Sequence, residues 1–188
     1  GSVFDNSGTV TGIAFVTNGG YFGNDTGGTV GTGSAASAGE FYNDIGGVVG
    51  SGSVDGVGST FDNYGTVTNA ASVTNGGYFD NESGGIVGTG SVDGANSEFD
   101  NFGTVTGAAS VTNGGYFTNA VGGTAGSGSV DGAGSEFYNF GTVTGAGSAT
   151  SAGEFSNDIG GVVGSGSVDG VGSTFDNYGT VTNAASVT

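Results

Sequence analysis

The sequence contains no Lys, Arg, His, Pro, Cys, Met or Trp among its 188 residues, and its 17 acidic side chains give a formal net charge of −17. Without cations the chain cannot displace the counterions of a phosphate backbone, which excludes nucleic-acid binding of the usual kind. The same absence excludes basic attraction to anionic lipid. Without Cys and His, neither disulfides nor zinc sites can form.

The missing residues also remove most catalytic chemistry. The chain has no imidazole base, no thiolate and no Schiff-base amine, so that only carboxylates, hydroxyls and backbone groups remain. Paired carboxylates hydrolyse glycosides in other proteins, but every carboxylate here belongs to a repeating pattern, whereas a catalytic site is a unique constellation. We therefore expect no enzymatic activity and no cofactor, with calcium as the one exception considered below.

Long apolar segments are absent too. No run of 18 apolar residues, basic leader region or initiator Met is found, so the sequence predicts no membrane insertion and resembles a processed or excised piece of something longer. Its 46 Gly residues and one-signed charge are typical of disordered segments. The order within the sequence decides against disorder.

That order is a tripeptide, Phe-x-Asn, which occurs ten times at steps of 18 to 20 residues. The steps mostly alternate between 18 and 20, so the true unit is a double coil of 38 residues. Residues 43–74 and 157–188 are identical. The Phe members are Phe4, Phe22, Phe41, Phe61, Phe79, Phe99, Phe117, Phe137, Phe155 and Phe175. The Asn members are Asn6, Asn24, Asn43, Asn63, Asn81, Asn101, Asn119, Asn139, Asn157 and Asn177.

A unit of this length predicts an all-β fold, a β-solenoid (β-helix) of about ten coils, each with about three short strands. We expect one repeat array over residues 1–188, as a fragment or protomer of a longer solenoid or fibre. The handedness stays open. The competing fold is a flat meander that uses the Asn-Gly pairs 18–19, 75–76 and 113–114 as hairpin turns.

Strand alternation predicts which side chains point inward. Val67 should face the interior and its two Thr neighbours the solvent. Phe61 and Asn63 should lie inside while Asp62 faces water, and Gly65 should form a corner whose backbone other residues resist. Phe would then stack on Phe, and Asn would hydrogen-bond to Asn, along the whole axis.

Two outward patterns are candidate binding sites. The Thr-Val-Thr triplets at 9–11, 66–68, 104–106, 142–144 and 180–182 could form an ice-binding array, although every second coil interrupts it. Three carboxylates, Asp62, Asp80 and Asp100, should lie one coil apart, where calcium would relieve their repulsion. A solvated acidic surface is the simpler alternative. A second acidic column is too widely spaced for one ion to bridge; its members are Asp55, Asp93, Asp131 and Asp169.

The run Phe-x-Asn-x-Gly-Thr-Val-Thr, inside a coil of about 19 residues, resembles the repeats of filamentous-haemagglutinin-type adhesins and related autotransporter passengers. The resemblance implies secretion, a long β-helical stalk on the cell surface, and adhesion or scaffolding. Because this chain is more regular and purely acidic, we expect a structural, self-associating extracellular fibre or cell-surface scaffold, with further copies of itself as partner through end-to-end or lateral assembly.

The alternative is a binding module with a face for glycan, another cell or ice. The seven Tyr residues could serve either function, as packing groups between rods or as platforms for sugar rings. They are Tyr21, Tyr42, Tyr64, Tyr78, Tyr116, Tyr138 and Tyr178.

Overall fold

The computed structural model describes residues 1–188. Each of its first nine coils contributes one short and one long β-strand, and in the last coil the long strand is divided into two short pieces. No helix is present, and thus none that could span a membrane. Gly, Ser, Thr and Val dominate the chain, and such residues favour strands and turns over helices. The strands are β1 (Val3–Asn6), β2 (Thr9–Val16), β3 (Tyr21–Asn24), β4 (Thr29–Ala36), β5 (Glu40–Asn43), β6 (Val48–Asp55), β7 (Thr60–Asn63), β8 (Thr66–Thr74), β9 (Tyr78–Asn81), β10 (Ile86–Asp93), β11 (Glu98–Asn101), β12 (Thr104–Thr112), β13 (Tyr116–Asn119), β14 (Thr124–Asp131), β15 (Glu136–Asn139), β16 (Thr142–Thr150), β17 (Glu154–Asn157), β18 (Val162–Asp169), β19 (Thr174–Asn177), β20 (Thr180–Val181) and β21 (Ala185–Val187).

The strands form two parallel sheets that run the length of the stack. The odd-numbered strands from β1 to β19 make a ten-stranded sheet, here the short-strand sheet. The long strands make the second, the long-strand sheet, in which each strand pairs with those of the coils before and after it. The predicted β-solenoid is therefore confirmed. The flat meander is wrong, since the Asn-Gly pairs are left-handed turns, such as Asn75 and Gly76 at φ 53° and 80°, that connect strands of different sheets.

The prediction of three strands per coil is wrong, because the second and third sides are one bent strand. In β8, Val67 and Ala71 are buried, while the three residues between them are exposed, which breaks strict alternation. The pairing of β8 with β10 also shifts register between Val87 and Thr89. Hydrogen bonding continues on both sides of this bulge, so the corner lies inside the strand.

Two kinds of coil alternate along most of the stack. In a short coil, residues 64–65 connect the short strand to a nine-residue long strand, and residues 75–77 lead to the next short strand. In a long coil the connections are residues 82–85 and 94–97, around an eight-residue strand. The bulge and the turns absorb the length difference, and the Phe-x-Asn register is unchanged.

Glycine is required at the first turn for two different reasons. Gly84 of a long coil has a left-handed φ of 90°. Gly65 of a short coil does not, so the predicted unusual backbone there is wrong. A Cβ on Gly65 would lie 2.4 Å from the carbonyl oxygen of Gly47 in the preceding coil. Close approach of the coils excludes a side chain at this position.

The core is one continuous cluster of 27 buried residues, mainly Phe and Val. As predicted, Val67 is buried between half-buried Thr66 and exposed Thr68. Facing the Phe rings is an inward column of Gly and Ala on the long strands. A Cβ on Gly52 would meet the rings of Phe61 and Phe79 at 3.1 Å. The aromatic column thus fills the interior to the opposite wall.

Candidate functional site

An unbroken ladder of asparagine side chains runs through the interior. In all nine steps, Nδ2 of one Asn donates to Oδ1 of the Asn in the next coil, at 2.7–2.8 Å. Nδ2 of Asn63 also donates to the carbonyl of Gly65 in the adjacent turn at 3.3 Å, and to the carbonyl of Ile86 at the start of β10 at 3.2 Å. Each buried amide is thereby satisfied, and each ties two coils together.

The phenylalanine column lies beside this ladder. Its nine ring pairs have centroid distances of 4.5–5.0 Å and small interplanar angles. The seven rings from Phe41 to Phe155 are fully buried, whereas Phe4 in the first coil is 55% exposed. A ring is buried only where both neighbouring coils are present, as a stacked repeat requires.

A set of buried serines in the second turn of the long coils was missed by the sequence reasoning. Ser97 Oγ donates to the carbonyl of Asp93 at 2.9 Å and accepts from the backbone N–H of Gly76 at 3.0 Å. Ser59 and Ser135, which are also buried, make the same pair of bonds, and so does Ser173, which is half-buried. The signal that could have found them is the sequence Gly-x-x-Ser, which precedes the short strands β7, β11, β15 and β19.

The predicted carboxylate column exists on the outer side of the short-strand sheet. Asp62 pairs in register with Asp80, and Asp80 with Asp100. Asp62 is on the outer side, as predicted, but it is not freely exposed to water, because all three residues are partly buried. Tyr78 OH donates to Oδ2 of Asp100 at 2.9 Å and of Asp80 at 3.4 Å, while Oδ1 of both carboxylates has no hydrogen-bond partner.

Burial raises the pKa of two members of this column, Asp62 and Asp80. Desolvation, followed by the charges of Glu40 and Glu82, raises the pKa of Asp62 to about 6. Desolvation, with Glu82 and the adjacent Asp charges, raises the pKa of Asp80 to about 7. The pKa of Tyr78 is also raised, mainly by burial. A row of like charges in a partly dry environment favours the protonated form.

Calcium binding by Asp62, Asp80 and Asp100 stays a prediction. The three lie in a row, and no group of three acidic side chains converges closely enough to hold a metal ion. If calcium bridges neighbouring carboxylates, millimolar Ca²⁺ should raise the melting temperature at pH 8, where the column is ionised. A titration followed by circular dichroism that leaves the melting temperature unmoved would contradict it.

The second acidic column, at the ends of the long strands, has a structural role. Asp55 Oδ1 accepts from Thr74 Oγ1 at 2.9 Å and from Asn75 Nδ2 at 2.6 Å in the following coil. These hydrogen bonds lower the pKa of Asp55. Asp93 makes the same contacts with Thr112 and Asn113. Asp131 accepts from Thr150 in the same way. The Val-Asp-Gly segments at Asp55, Asp93 and Asp131 therefore fasten three long coils to the short coils that follow them.

The Thr-Val-Thr triplets do not form a free hydroxyl array. The second Thr donates to a carbonyl of the preceding coil, as in the 3.2 Å bond from Thr68 Oγ1 to Gly50 O. Thr106, Thr144 and Thr182 make equivalent bonds. At this level the long coils carry Gly, as at Gly88. At the second Thr position of the triplet, the hydroxyls that an ice-binding array needs are therefore bonded within the rod in the short coils from Thr68 onward and missing in the long coils.

The tyrosines of the first coils stack on each other. Ring centroids lie 6.4 Å apart between Tyr21 and Tyr42 and 5.1 Å apart between Tyr42 and Tyr64. Tyr64 OH donates to Glu82 at 2.9 Å, which raises the pKa of Tyr64 to about 12. Rings that cover one another leave little face for a sugar. Tyr116 and Tyr178 are the more exposed members.

Charge is strongly segregated around the rod. Nine of the carboxylates lie on the outer side of the short-strand sheet, and the others lie in the first turns or at the ends of the long strands. The remaining outer side of the long-strand sheet carries no charged residue. The molecule thus has one acidic, tyrosine-containing side and one neutral side.

Comparisons with known proteins return little similarity. No family model matches the chain, and no curated protein matches it. Among solved structures, the crystal structure of a TibA fragment hyper-glycosylated by TibC is 19% identical, with a TM-score of 0.43. The alignment covers 99% of this chain and 87% of that one.

Proposed function

We propose that this chain is a structural module of an extracellular fibre or cell-surface stalk, and that it acts through its length and its outer faces. The observation that carries the proposal is the unbroken asparagine ladder, which ties each coil to the next in nine identical steps. Such an interior transmits the same geometry along the whole axis. At about 4.8 Å per coil, ten coils give a rod about 48 Å long.

The surface supports this function better than an enzymatic one. The only two hollows lie against the first and last coils, beside Phe4 and beside Phe175. Along the sides, the carboxylates recur from coil to coil. In the second acidic column, Asp55 is already hydrogen-bonded to the following coil. A repeating surface presents the same groups many times, which suits assembly or adhesion.

The composition fits exposure outside a cell. Without Lys and Arg the chain offers no site to trypsin-like proteases, and without Cys and Met it lacks the side chains most readily oxidised. We therefore place the module at the cell surface or in a secreted filament.

A binding function is the second candidate, favoured by the acidic, tyrosine-containing side. There Tyr116 is exposed in register with Glu98 and Glu136. An aromatic ring between carboxylates suits a glycan, because the ring can stack on the sugar and the carboxylate oxygens can accept hydrogen bonds from its hydroxyls. Loss of glycan binding in Tyr116→Ala, with Tyr42→Ala as the comparison because its ring is covered by Tyr21 and Tyr64, would support this candidate.

Electron microscopy of the native material, with gold-labelled antibodies against this chain, tests the structural proposal. Filaments continuous over hundreds of nanometres, or rods that project from the cell envelope, are the expected result. Discrete rods that bind only at a distinct tip would favour an adhesin stalk. Label confined to the cell interior would contradict the proposal.

A further inference from the structure

The neutral side of the rod is built from two uninterrupted columns. The first is the outward residue at the start of each long strand, and all ten members are β-branched and unburied. They are in register as Thr9, Thr29, Val48, Thr66, Ile86, Thr104, Thr124, Thr142, Val162 and Thr180. Methyl groups therefore line this column from end to end.

The second column lies five residues further along the strand in the long coils and six in the short coils. The first coil has Phe15 at this level, and the nine coils that follow all have serine. These serines are in register as Ser34, Ser53, Ser72, Ser91, Ser110, Ser129, Ser148, Ser167 and Ser186. None of them is buried. Between the two columns the bulge carries only uncharged residues, most of them small, such as Ala70, Thr89 and Ala108. Ile13 in the first coil and Asn69 are larger exceptions. We call the surface made by the two columns and these bulge residues the neutral face.

Neither the interior nor the coil-to-coil contacts explain the neutral face. The hydroxyls of the first column make no hydrogen bond within the rod, unlike those of Thr68 and Thr106, and in the serine column only Ser34, Ser53 and Ser91 do. Charged residues occur at every other outward region of the coil, and an outward strand position tolerates Glu at Glu98 and Glu136. The chain has a net charge of −17, yet one side carries no charge at all. Because the fold does not require this, we attribute the absence of charge to what the neutral face contacts.

We propose that the neutral face is the surface through which two copies of this chain pack side by side. This inference rests on the proposed structural function and names the surface that performs the self-association. Two molecules that each carry a charge of −17 repel one another on their acidic sides, and only the neutral faces approach without opposed carboxylates.

A second copy is also the partner whose dimensions fit. Its neutral face has the same axial repeat, so methyl and hydroxyl columns stay matched along the full length. The two columns lie on either side of the bulge and run together through nine coils. Measured along the bent strand, they span about 18 Å by about 43 Å, or about 800 Å² per partner. A stable protein interface needs about 800 Å² per partner. Small side chains on paired sheets interdigitate closely, and serine hydroxyls can donate to serines opposite.

Sedimentation velocity over a concentration series at about 0.15 M salt tests the inference. The face variant is the double substitution Thr104→Glu with Thr142→Glu, which places four carboxylates in the paired interface. The matched control is Thr60→Glu with Thr174→Glu, which adds the same charge on the acidic side. Four coils already carry Glu at the control position, at Glu40, Glu98, Glu136 and Glu154. Circular dichroism melts establish that all three proteins are folded.

We expect wild type and control to associate alike and the face variant to associate at least about tenfold more weakly, because opposed like charges in an interface cost several kcal/mol. Association of the face variant equal to that of wild type would overturn the neutral face as the interface, while self-association itself would stand. A wild type that is monomeric at every concentration would overturn lateral pairing. It would leave the single-rod stalk to be tested separately by microscopy.

Discussion

At the scale of single residues, the asparagines and phenylalanines of the repeat could be assigned to the interior from the sequence. The same residue recurs at these positions in all ten copies, and inward and outward side chains alternate along a strand. In a stack of coils, such a position therefore has the same surroundings in every copy. The buried serines could not be assigned in this way. The hydroxyl of Ser97 bonds to a turn of the preceding coil, and the sequence does not state which turns lie together.

Removal of one rung from the middle of the asparagine ladder should destabilise the protein. In Asn101→Ala, Nδ2 of Asn81 and Oδ1 of Asn119 stay buried and each loses its hydrogen bond to Asn101. This loss should cost about 2–4 kcal/mol of unfolding free energy. The control is Asn177→Ala in an exposed, final rung, where the loss should be smaller. Chemical denaturation measures both. Equal effects of the two substitutions would contradict the ladder's role in stability.

The aromatic column allows an equally sharp comparison between neighbours in sequence. Phe99 is fully buried and stacks on two rings, whereas Phe102 is 42% exposed. Phe99→Ala should cost about 3–5 kcal/mol through lost burial and the cavity it leaves, and Phe102→Ala well under half of that. A thermal melt unchanged by Phe99→Ala would count against a stacked interior.

At the scale of strands, alternation predicted correctly that Val67 points inward, but not how many strands a coil contains. The six-residue spacing of Val67, Val73 and Phe79 fits three separate strands or one bent strand and one short strand equally well. The number of strands depends on whether hydrogen bonding continues around the corner. Continuous hydrogen bonding depends on the coils above and below. The bulge that allows it carries no distinctive residue that could be recognised in the sequence.

The carboxylate column of the short strands should make stability depend on pH. The folded pKa values of Asp62 and Asp80, about 6 and about 7, lie above the ordinary 3.8. The folded state therefore holds protons that the unfolded chain has released, and stability falls as pH rises from about 4 through 7. Below about 4 the trend reverses, because Asp55 has a lowered pKa and loses its bonds on protonation.

We thus expect a melting temperature several degrees higher at pH 5 than at pH 8. In Asp80→Asn, which carries no charge at either pH, the difference should shrink. Differential scanning calorimetry at the two pH values provides the measurement. A protein more stable at pH 8 than at pH 5 would contradict the assigned burial of the column.

At the scale of the whole molecule, one coil geometry repeats along an axis, and we propose that the chain acts through its length and its outer faces. The composition alone is typical of a disordered chain, whereas the repeat predicts a stacked rod. The placement of charge around that rod could be predicted only in part. Outward columns follow from alternation, but the contrast between an acidic and a neutral side depends on which columns share a sheet.

Small-angle X-ray scattering of a shortened chain tests most directly whether one coil geometry repeats along the axis. Deletion of residues 61–98 removes one 38-residue double coil and joins Thr60 to Phe99, so the pattern x-Phe-x-Asn and the order of coils are kept. We predict a rod shorter by about 9.6 Å with an unchanged cross-section. A particle that shrinks in all dimensions, or that unfolds, would contradict a stack of interchangeable coils.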